Sequence, residues 1–290
     1  MEEHGSPVDH ITIMGWGDTI LAAGQAQRLY DEAPDLGPIT LLDGAGAIRW
    51  QPIWLNNPAI RQPRSAPPPM VRTLRTGHGY LPYLNYPYSG ETGWTFSPTW
   101  KASDHRGKIY LTPEEIVLGV TVSDSFGPYI LLEPSGMDRK NRNRCWPSDH
   151  WWQLSAVLRS LAPLNVVQLD HPAVDALPNV PRIAHDGFRQ ACGVLASATL
   201  FVGPEGGLAH AAAALGIPSV ILWGGCISCD VLGYPEHVNL VFDHPQTPCG
   251  SPKPCDHCQL AWSTLSVPYV VEQVMGVLSR MILPLVATVQ

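Results

Sequence analysis

Charge is what this sequence has least of. Lys and Arg total 18 and Asp and Glu 25 in 290 residues, or 15% of the chain where about 25% is usual. With 45% apolar residues, so little charge excludes disorder and a coiled coil. Long hydrophobic runs are also missing: none reaches 18 residues, so no membrane span is expected. The opening MEEHGSPVDH lacks the basic and apolar regions of a secretory signal, which predicts a cytoplasmic protein. Seven cysteines, an odd number without an export signal, argue against a disulfide framework and for free thiols or metal ligation. The net charge of −7 speaks against general nucleic-acid affinity while leaving room for a local basic patch. In excess are 29 prolines, 26 glycines and 10 tryptophans, which imply many turns and short elements.

Length and rhythm predict two domains, residues 1–126 and 127–290, with a ligand cleft between them. The first opens with a strand over 10–14, the turn Gly15-Trp16-Gly17-Asp18 and a helix over about 19–31, then a strand over 38–43. An irregular insertion rich in proline and aromatics follows, spanning about 44–100. From 127 onward short apolar strands (129–133, 165–170, 199–203, 219–223) alternate with helices (149–160, 186–197, 208–215, 268–281). That alternation predicts an α/β fold with a parallel, doubly wound sheet.

The sharpest local signal is Thr199-Leu-Phe-Val-Gly-Pro-Glu-Gly-Gly-Leu-Ala-His-Ala-Ala-Ala-Ala-Leu-Gly-Ile-Pro218. A buried strand delivers the chain into a glycine turn, and a small-residue helix starts at once. Free N–H groups at such a helix start attract phosphate oxygens. His210 would donate to a diphosphate and Glu205 would accept from sugar hydroxyls. The bland alternative is a tight strand-to-helix turn with His210 a surface residue. Neither this turn nor the one at 15–20 satisfies G-x-G-x-x-G, which disfavours a dehydrogenase.

This segment resembles the C-terminal signature of glycosyltransferase family 9, the heptosyltransferase-like enzymes. Gly17-Asp18-Thr-Ile-Leu is similar to the family's N-terminal turn, and Glu133-Pro-Ser-Gly with Arg144-Cys-Trp-Pro147 to its Lys-x-Trp-Pro region. The chain departs from the family in having Glu205 for Asp, Gly206 for Thr or Ser, and Arg144 for Lys. The resemblance implies the GT-B fold, two Rossmann-like domains facing across a cleft. It further implies inverting transfer from a nucleotide-diphosphate sugar, with no metal or other cofactor required. Asp18 is then the general base, the alternative being a helix N-cap. Ser135, Gly136, Arg144, Glu205, Gly206, Gly207 and His210 would hold the donor, with Arg142 and Lys140 as surface charges.

Cys226-x-x-Cys229 and Cys255-x-x-Cys258, with Cys249 and His257 nearby, have the spacing of a structural zinc site. Residues 44–90 hold no acid but carry Arg49, Arg61, Arg64, Arg72 and Arg75 among aromatics that include Trp50, Tyr80, Tyr83, Tyr86, Tyr88 and, just beyond, Trp94. Arg49, Trp50, Arg72, Arg75, Tyr80 and Trp94 are the candidate contacts to an anionic acceptor. That acceptor is either a glycolipid or oligosaccharide, or DNA carrying a hydroxymethylated base; aromatic plugging of a loop-rich domain is the bland reading. A sugar-nucleotide epimerase or a binding-only relative is the other class.

Overall fold

In the computed structural model the described residues are 15–290, apart from 64, 66–69, 78, 86–92, 135–141, 252 and 288–290. The strand expected at 10–14 lies outside them, as do Arg64, Tyr86, Tyr88, Ser135, Gly136 and Lys140.

Six parallel strands form the main sheet: β3 (Tyr129–Leu132), β4 (Asn165–Leu169), β5 (Arg182–Ile183), β6 (Leu200–Pro204), β7 (Ser219–Trp223) and β8 (Val238–Val241), in the order β5-β4-β3-β6-β7-β8. Their near-continuous apolar sequences follow from burial on both faces. The period of two sorts the side chains: Tyr129, Leu131, Phe201 and Ile221 join one core, while Ile130, Leu132, Val202 and Val220 join the other. The first core also takes α4 (Phe188–Ala196) and α5 (Gly207–Leu215), whose alanines 211–213 are buried. Trp151, Leu154 and Leu158 of α3 (Ser148–Leu161) close the second with Val270 and Val274 of α8 (Val267–Ala287). Short α6 (Cys229–Leu232) and α7 (Asp256–Thr264) complete this half. The chain leaves β3 for β4 and β5 on one side and returns to β6 on the other. The strand order therefore reverses between β3 and β6, and ligands of open α/β sheets bind at such a point, beyond the carboxyl ends of the strands.

In the N-terminal part α1 (Trp16–Glu32) precedes β1 (Ile39–Leu42) and β2 (Arg72–Arg75), which pair in parallel from Ile39↔Arg72 to Leu42↔Arg75. The expectation of an irregular 44–100 segment is corrected here. β2 is a strand inside it, hidden in the sequence because Arg-Thr-Leu-Arg offers only one apolar side chain. The described part of this half thus carries a two-stranded sheet.

Helix α2 (Pro113–Phe126) also escapes the rhythm reading, although Thr112 and Glu115 form a full capping box and Pro113 occupies its first turn. It lies directly on α4 through paired glycines. A Cβ on Gly119 would come within 2.2 Å of the Gly193 carbonyl oxygen, and one on Gly193 within 2.2 Å of that of Glu115. Beside this contact Arg189 is buried with Glu115. Its Nε and Nη2 donate to the two carboxylate oxygens at 2.6 Å, and its remaining donors reach the carbonyls of Pro52, Ile53 and Tyr110. One guanidinium thus fastens α4 to the N-terminal part.

Candidate active site

Three helices that start at glycine meet around one cleft of about 550 Å³. Gly15, Gly187 and Gly206 are the N-caps of α1, α4 and α5, none has a side-chain cap, and all three line the cleft. The contrast with the boxed N-terminus of α2 is informative. A helix start without a side-chain cap leaves backbone N–H groups for a ligand, and three such starts sum their positive dipole ends in one place. The approach is close: a Cβ on Gly17 would lie 2.7 Å from His210 Cδ2, and one on Gly207 would lie 2.8 Å from Trp16 Cβ. Trp16 and Phe188 stack at 4.6 Å, 4° from parallel, over the same spot.

Arg144 adds a formal cation to this electropositive corner. Its Nε and Nη2 donate to the two oxygens of Glu205 at 2.5 and 2.9 Å. Glu205 is therefore turned to Arg144 instead of standing open to a sugar hydroxyl, and it fixes the orientation of the guanidinium.

His210 is buried, not at the surface. Its Nδ1 lies 2.8 Å from the Tyr234 hydroxyl. Burial, reinforced by His237 and Arg144, lowers its pKa to about 3, so the ring is neutral. Its Nε2 faces the Gly17 turn, 3.2 Å from where a Cβ on Gly17 would stand.

Asp18 stands in the first turn of α1, three residues after Gly15, so it is not the N-cap itself. Its Oδ1 accepts from the Tyr83 hydroxyl at 2.5 Å, and its carboxylate also accepts from the Gly15 backbone. Burial outweighs these bonds and the nearby Arg144 and Arg49, and its pKa is raised above the usual carboxylate range. Tyr83, with Leu81, Leu84, Trp94 and Phe96, forms an aromatic and apolar wall beside it.

Glu133, one residue beyond β3, was not among the expected site residues. It lines the cleft at the reversal point, is 5% exposed, and its Oε2 has no hydrogen-bond partner among the described residues. Its position directly after a buried strand, at the mouth of the sheet, is the signal that would have found it. Burial pushes its pKa up to about 8 against the partial opposition of Arg182 and Leu169. The folded protein thus holds this proton up to about pH 8, whereas the unfolded chain releases it near 4.5, so the linkage costs stability as pH rises between those values. His210 and His237 act with the opposite sign, but only below about 6.5. Glu133→Gln should therefore gain on the parent in thermal stability from pH 5 to 9, by roughly 3–5 kcal/mol at about 1.4 kcal/mol per pKa unit. Parallel stability curves for the two proteins would refute this assignment.

With this geometry in place the comparisons can be read. The family model of glycosyltransferase family 9 (heptosyltransferase) matches residues 118–249. Over this stretch, a little under half of its length, the chain is similar to that family. The family 9 glycosyl transferase of Veillonella parvula DSM 2008 superposes with a TM-score of 0.67 at 14% identity, over 92% of this chain and 95% of that one. TibC, the iron-containing dodecameric glycosyltransferase of enterotoxigenic E. coli H10407, gives 0.58 at 16%, over 93% and 74%. For the E. coli ADP-heptose lps heptosyltransferase II the values are 0.47 and 18%, over 60% of this chain and 54% of that one, so the chain spans about half of that relative's length. No curated protein matches in sequence. The parallel-sheet α/β architecture agrees with the GT-B-type structures of family 9.

Within this fold the six expected acceptor contacts separate. Trp94 lines the cleft, and Arg49 lies close enough to Asp18 for their charges to interact. Arg72 is a correction: its guanidinium donates to the carbonyls of Leu29 and Ala33 and so closes the C-terminal end of α1. Trp50 is another, packing edge-on against buried Trp54 at 6.1 Å. Arg75 and Tyr80 are exposed and bound to each other at 2.8 Å, outside the cleft lining.

The expected zinc set is corrected as well. Cys249, Cys255, His257 and Cys258 come together, with all four ligand atoms within 4.8 Å of one another. Cys226 abuts Cys249 without joining them, and its thiol donates to the Ser251 carbonyl. Cys229 lies in α6, its sulfur against Gly233. The two Cys-x-x-Cys pairs misled because the first lies between β7 and the first residue of α6, whose geometry fixes those sulfurs elsewhere. Among the described residues no helix is long and apolar enough to cross a membrane.

Proposed function

We propose that this protein transfers a sugar from a nucleoside-diphosphate sugar to an acceptor hydroxyl, with inversion at the anomeric carbon. The observation that carries this reading is the convergence of three glycine-started helix N-termini and Arg144 on one cleft, with Asp18 in the first turn of one of those helices. The leaving diphosphate gains negative charge in the transition state, so donors fixed in advance lower the barrier more than they tighten ground-state binding. Gly206 and Gly207 N–H groups, Arg144 and the Nε2–H of His210 supply them. The helix termini and the guanidinium furnish positive charge that a cation would otherwise bring. Asp18, its pKa raised by burial, accepts the proton of the attacking hydroxyl as the new glycosidic bond forms and the bond to the diphosphate breaks. Tyr83 holds the carboxylate in place. ADP-heptose names the donor of two structural relatives, which makes an ADP-sugar the first to test.

On the acceptor side the wall is aromatic and apolar, with Arg49 close enough to Asp18 for their charges to interact. It suits an uncharged ring, a sugar or a splayed base, stacked on Trp94 or Tyr83. The Cys/His cluster would hold a structural metal: three thiols and an imidazole leave no open position for chemistry.

A thermal-shift series with ADP, UDP, GDP and CMP, followed by mass spectrometry of the reaction with the matching nucleotide sugar, tests the reading. A nucleoside diphosphate should raise the melting temperature while CMP does not. No shift with any diphosphate would overturn the donor site, and turnover of nucleotide sugar without acceptor would point to an epimerase.

A further inference from the structure

The segment from 242 to 255 joins β8 to α7 with no strand or helix among its described residues, yet it brings Cys249 and Cys255 to His257 and Cys258 in the first turn of α7 and touches both sides of the cleft. Its sulfurs are placed for a metal. Cys249 Sγ lies 3.7 Å from Cys255 Sγ and 3.3 Å from Cys258 Sγ, and Cys255 Sγ lies 3.4 Å from His257 Nε2. With metal–sulfur bonds of about 2.3 Å and metal–nitrogen bonds of about 2.0 Å, a tetrahedral ion would set these edges at roughly 3.5–3.8 Å. No disulfide links these cysteines.

What the loop grips matters more. Asn143 is fully buried, and its amide is spent on this loop: Nδ2 donates to the carbonyls of Ser251 at 3.2 Å and Lys253 at 2.6 Å, and Oδ1 accepts from Cys255 N at 3.0 Å. Its carbonyl accepts from Trp262 Nε1 of α7 at 3.0 Å. The next residue is Arg144, the cation of the donor corner. On its other edge the loop reaches the acceptor wall: Trp94 N donates to the Gly250 carbonyl at 2.9 Å. Gly250, at φ 60°, is packed so tightly that a Cβ there would lie 1.9 Å from the Trp94 carbonyl oxygen. The loop is itself pinned beyond β7 by Cys249 N to Gly225 O and Gly250 N to Cys226 O, both 2.9 Å.

We propose that a metal ion held by Cys249, Cys255, His257 and Cys258 closes this loop into a clasp that positions Arg144, through Asn143, and ties the Trp94 wall to the donor side. A stretch with so few apolar side chains has little else to fix its shape, and ligation supplies the missing core. Asn143 and the four ligands are positioning residues; none touches the reacting atoms. The proposal rests on the donor-site reading for Arg144 but not for the clasp itself, and the test separates them.

The full-length protein is reconstituted with Zn²⁺ or Fe²⁺ under reducing conditions. Metal content, hydrogen exchange and affinity for the best binder among ADP, UDP and GDP are then measured before and after chelation. One equivalent of metal is expected. Its removal should speed exchange at the Trp94, Cys249, Gly250 and Cys255 amides at least 10-fold and weaken the nucleoside diphosphate about 10-fold, leaving affinity for the bare nucleoside unchanged. Asn143→Ala, which keeps all four ligands, should retain the metal and show the same phosphate-selective loss. Absence of bound metal overturns the proposal. So does bound metal whose removal leaves Trp94 exchange and diphosphate affinity unaltered, although the metal site would stand. If no nucleoside diphosphate binds the loaded protein, the donor reading fails while the exchange data still decide the clasp.

Discussion

Replacing Asp18 by Asn is expected to reduce sugar transfer by roughly 10²–10⁴-fold, the usual contribution of a positioned general base, with donor affinity kept. The amide conserves shape and can still accept from Tyr83, whose hydroxyl lies 2.5 Å from the carboxylate, but it cannot take a proton. Steady-state kinetics and calorimetric donor binding on the same preparation check both halves. More than a tenth of parental activity in Asp18→Asn would dismiss Asp18 as the base. The pH profile offers a second view. Because burial raises the pKa of Asp18, the acid limb of kcat/KM should lie above the usual carboxylate range, with activity gained as pH rises through it. The Tyr83 hydrogen bond opposes that rise, since it favours the charged form. Tyr83→Phe should therefore move the limb to still higher pH.

Stability should respond most to Arg189. Its pairing with Glu115 is buried, each side chain being 10% exposed, and it also satisfies carbonyls of Pro52, Ile53 and Tyr110. Arg189→Met leaves a buried carboxylate and three carbonyls short of donors, a change of about 3–5 kcal/mol. At this size that corresponds to a fall on the order of 10 °C in melting temperature. Combining it with Glu115→Gln should restore part of the loss, because the stranded charge goes too. If Arg189→Met melts within about 2 °C of the parent, a range that equates with roughly 1 kcal/mol or less, the guanidinium is not what fastens α4 to the N-terminal part.

How the residues divide between foresight and surprise has a physical logic. β7 appears in the sequence with its bounds intact, and β3, β4 and β6 to within a residue at either end, because a strand buried on both faces must be apolar throughout. The glycine turn before α5 is equally legible, since a helix that starts at the mouth of a sheet needs that local chemistry. β2 and α2 were hidden for opposite reasons. The first has one apolar residue, and the second shows its capping box in a stretch where no rhythm had been set.

Arg144, Glu205, Gly206, Gly207 and His210, singled out in the sequence, do line one cleft, but their wiring was not legible. Glu205 serves Arg144, and His210 is a buried neutral ring leaning on Tyr234. Arg72 and Trp50 fill structural posts although their residue types suit an acceptor. A side chain's partner depends on residues far along the chain, as Arg144 and Glu205, Tyr83 and Asp18, and Asn143 and Ser251 each show, and no local pattern encodes such distances.

By itself, the sequence determined the parallel α/β sheet, the resemblance to family 9 and the residue types around the glycine turns of the cleft, because those follow from short-range periodicity and turn chemistry. Only the tertiary structure decided which cysteines gather, which arginines face the cleft and that Glu133 is buried at the strand-order reversal. Those outcomes depend on how strands are ordered and how loops close, which is set by the packing of the whole chain.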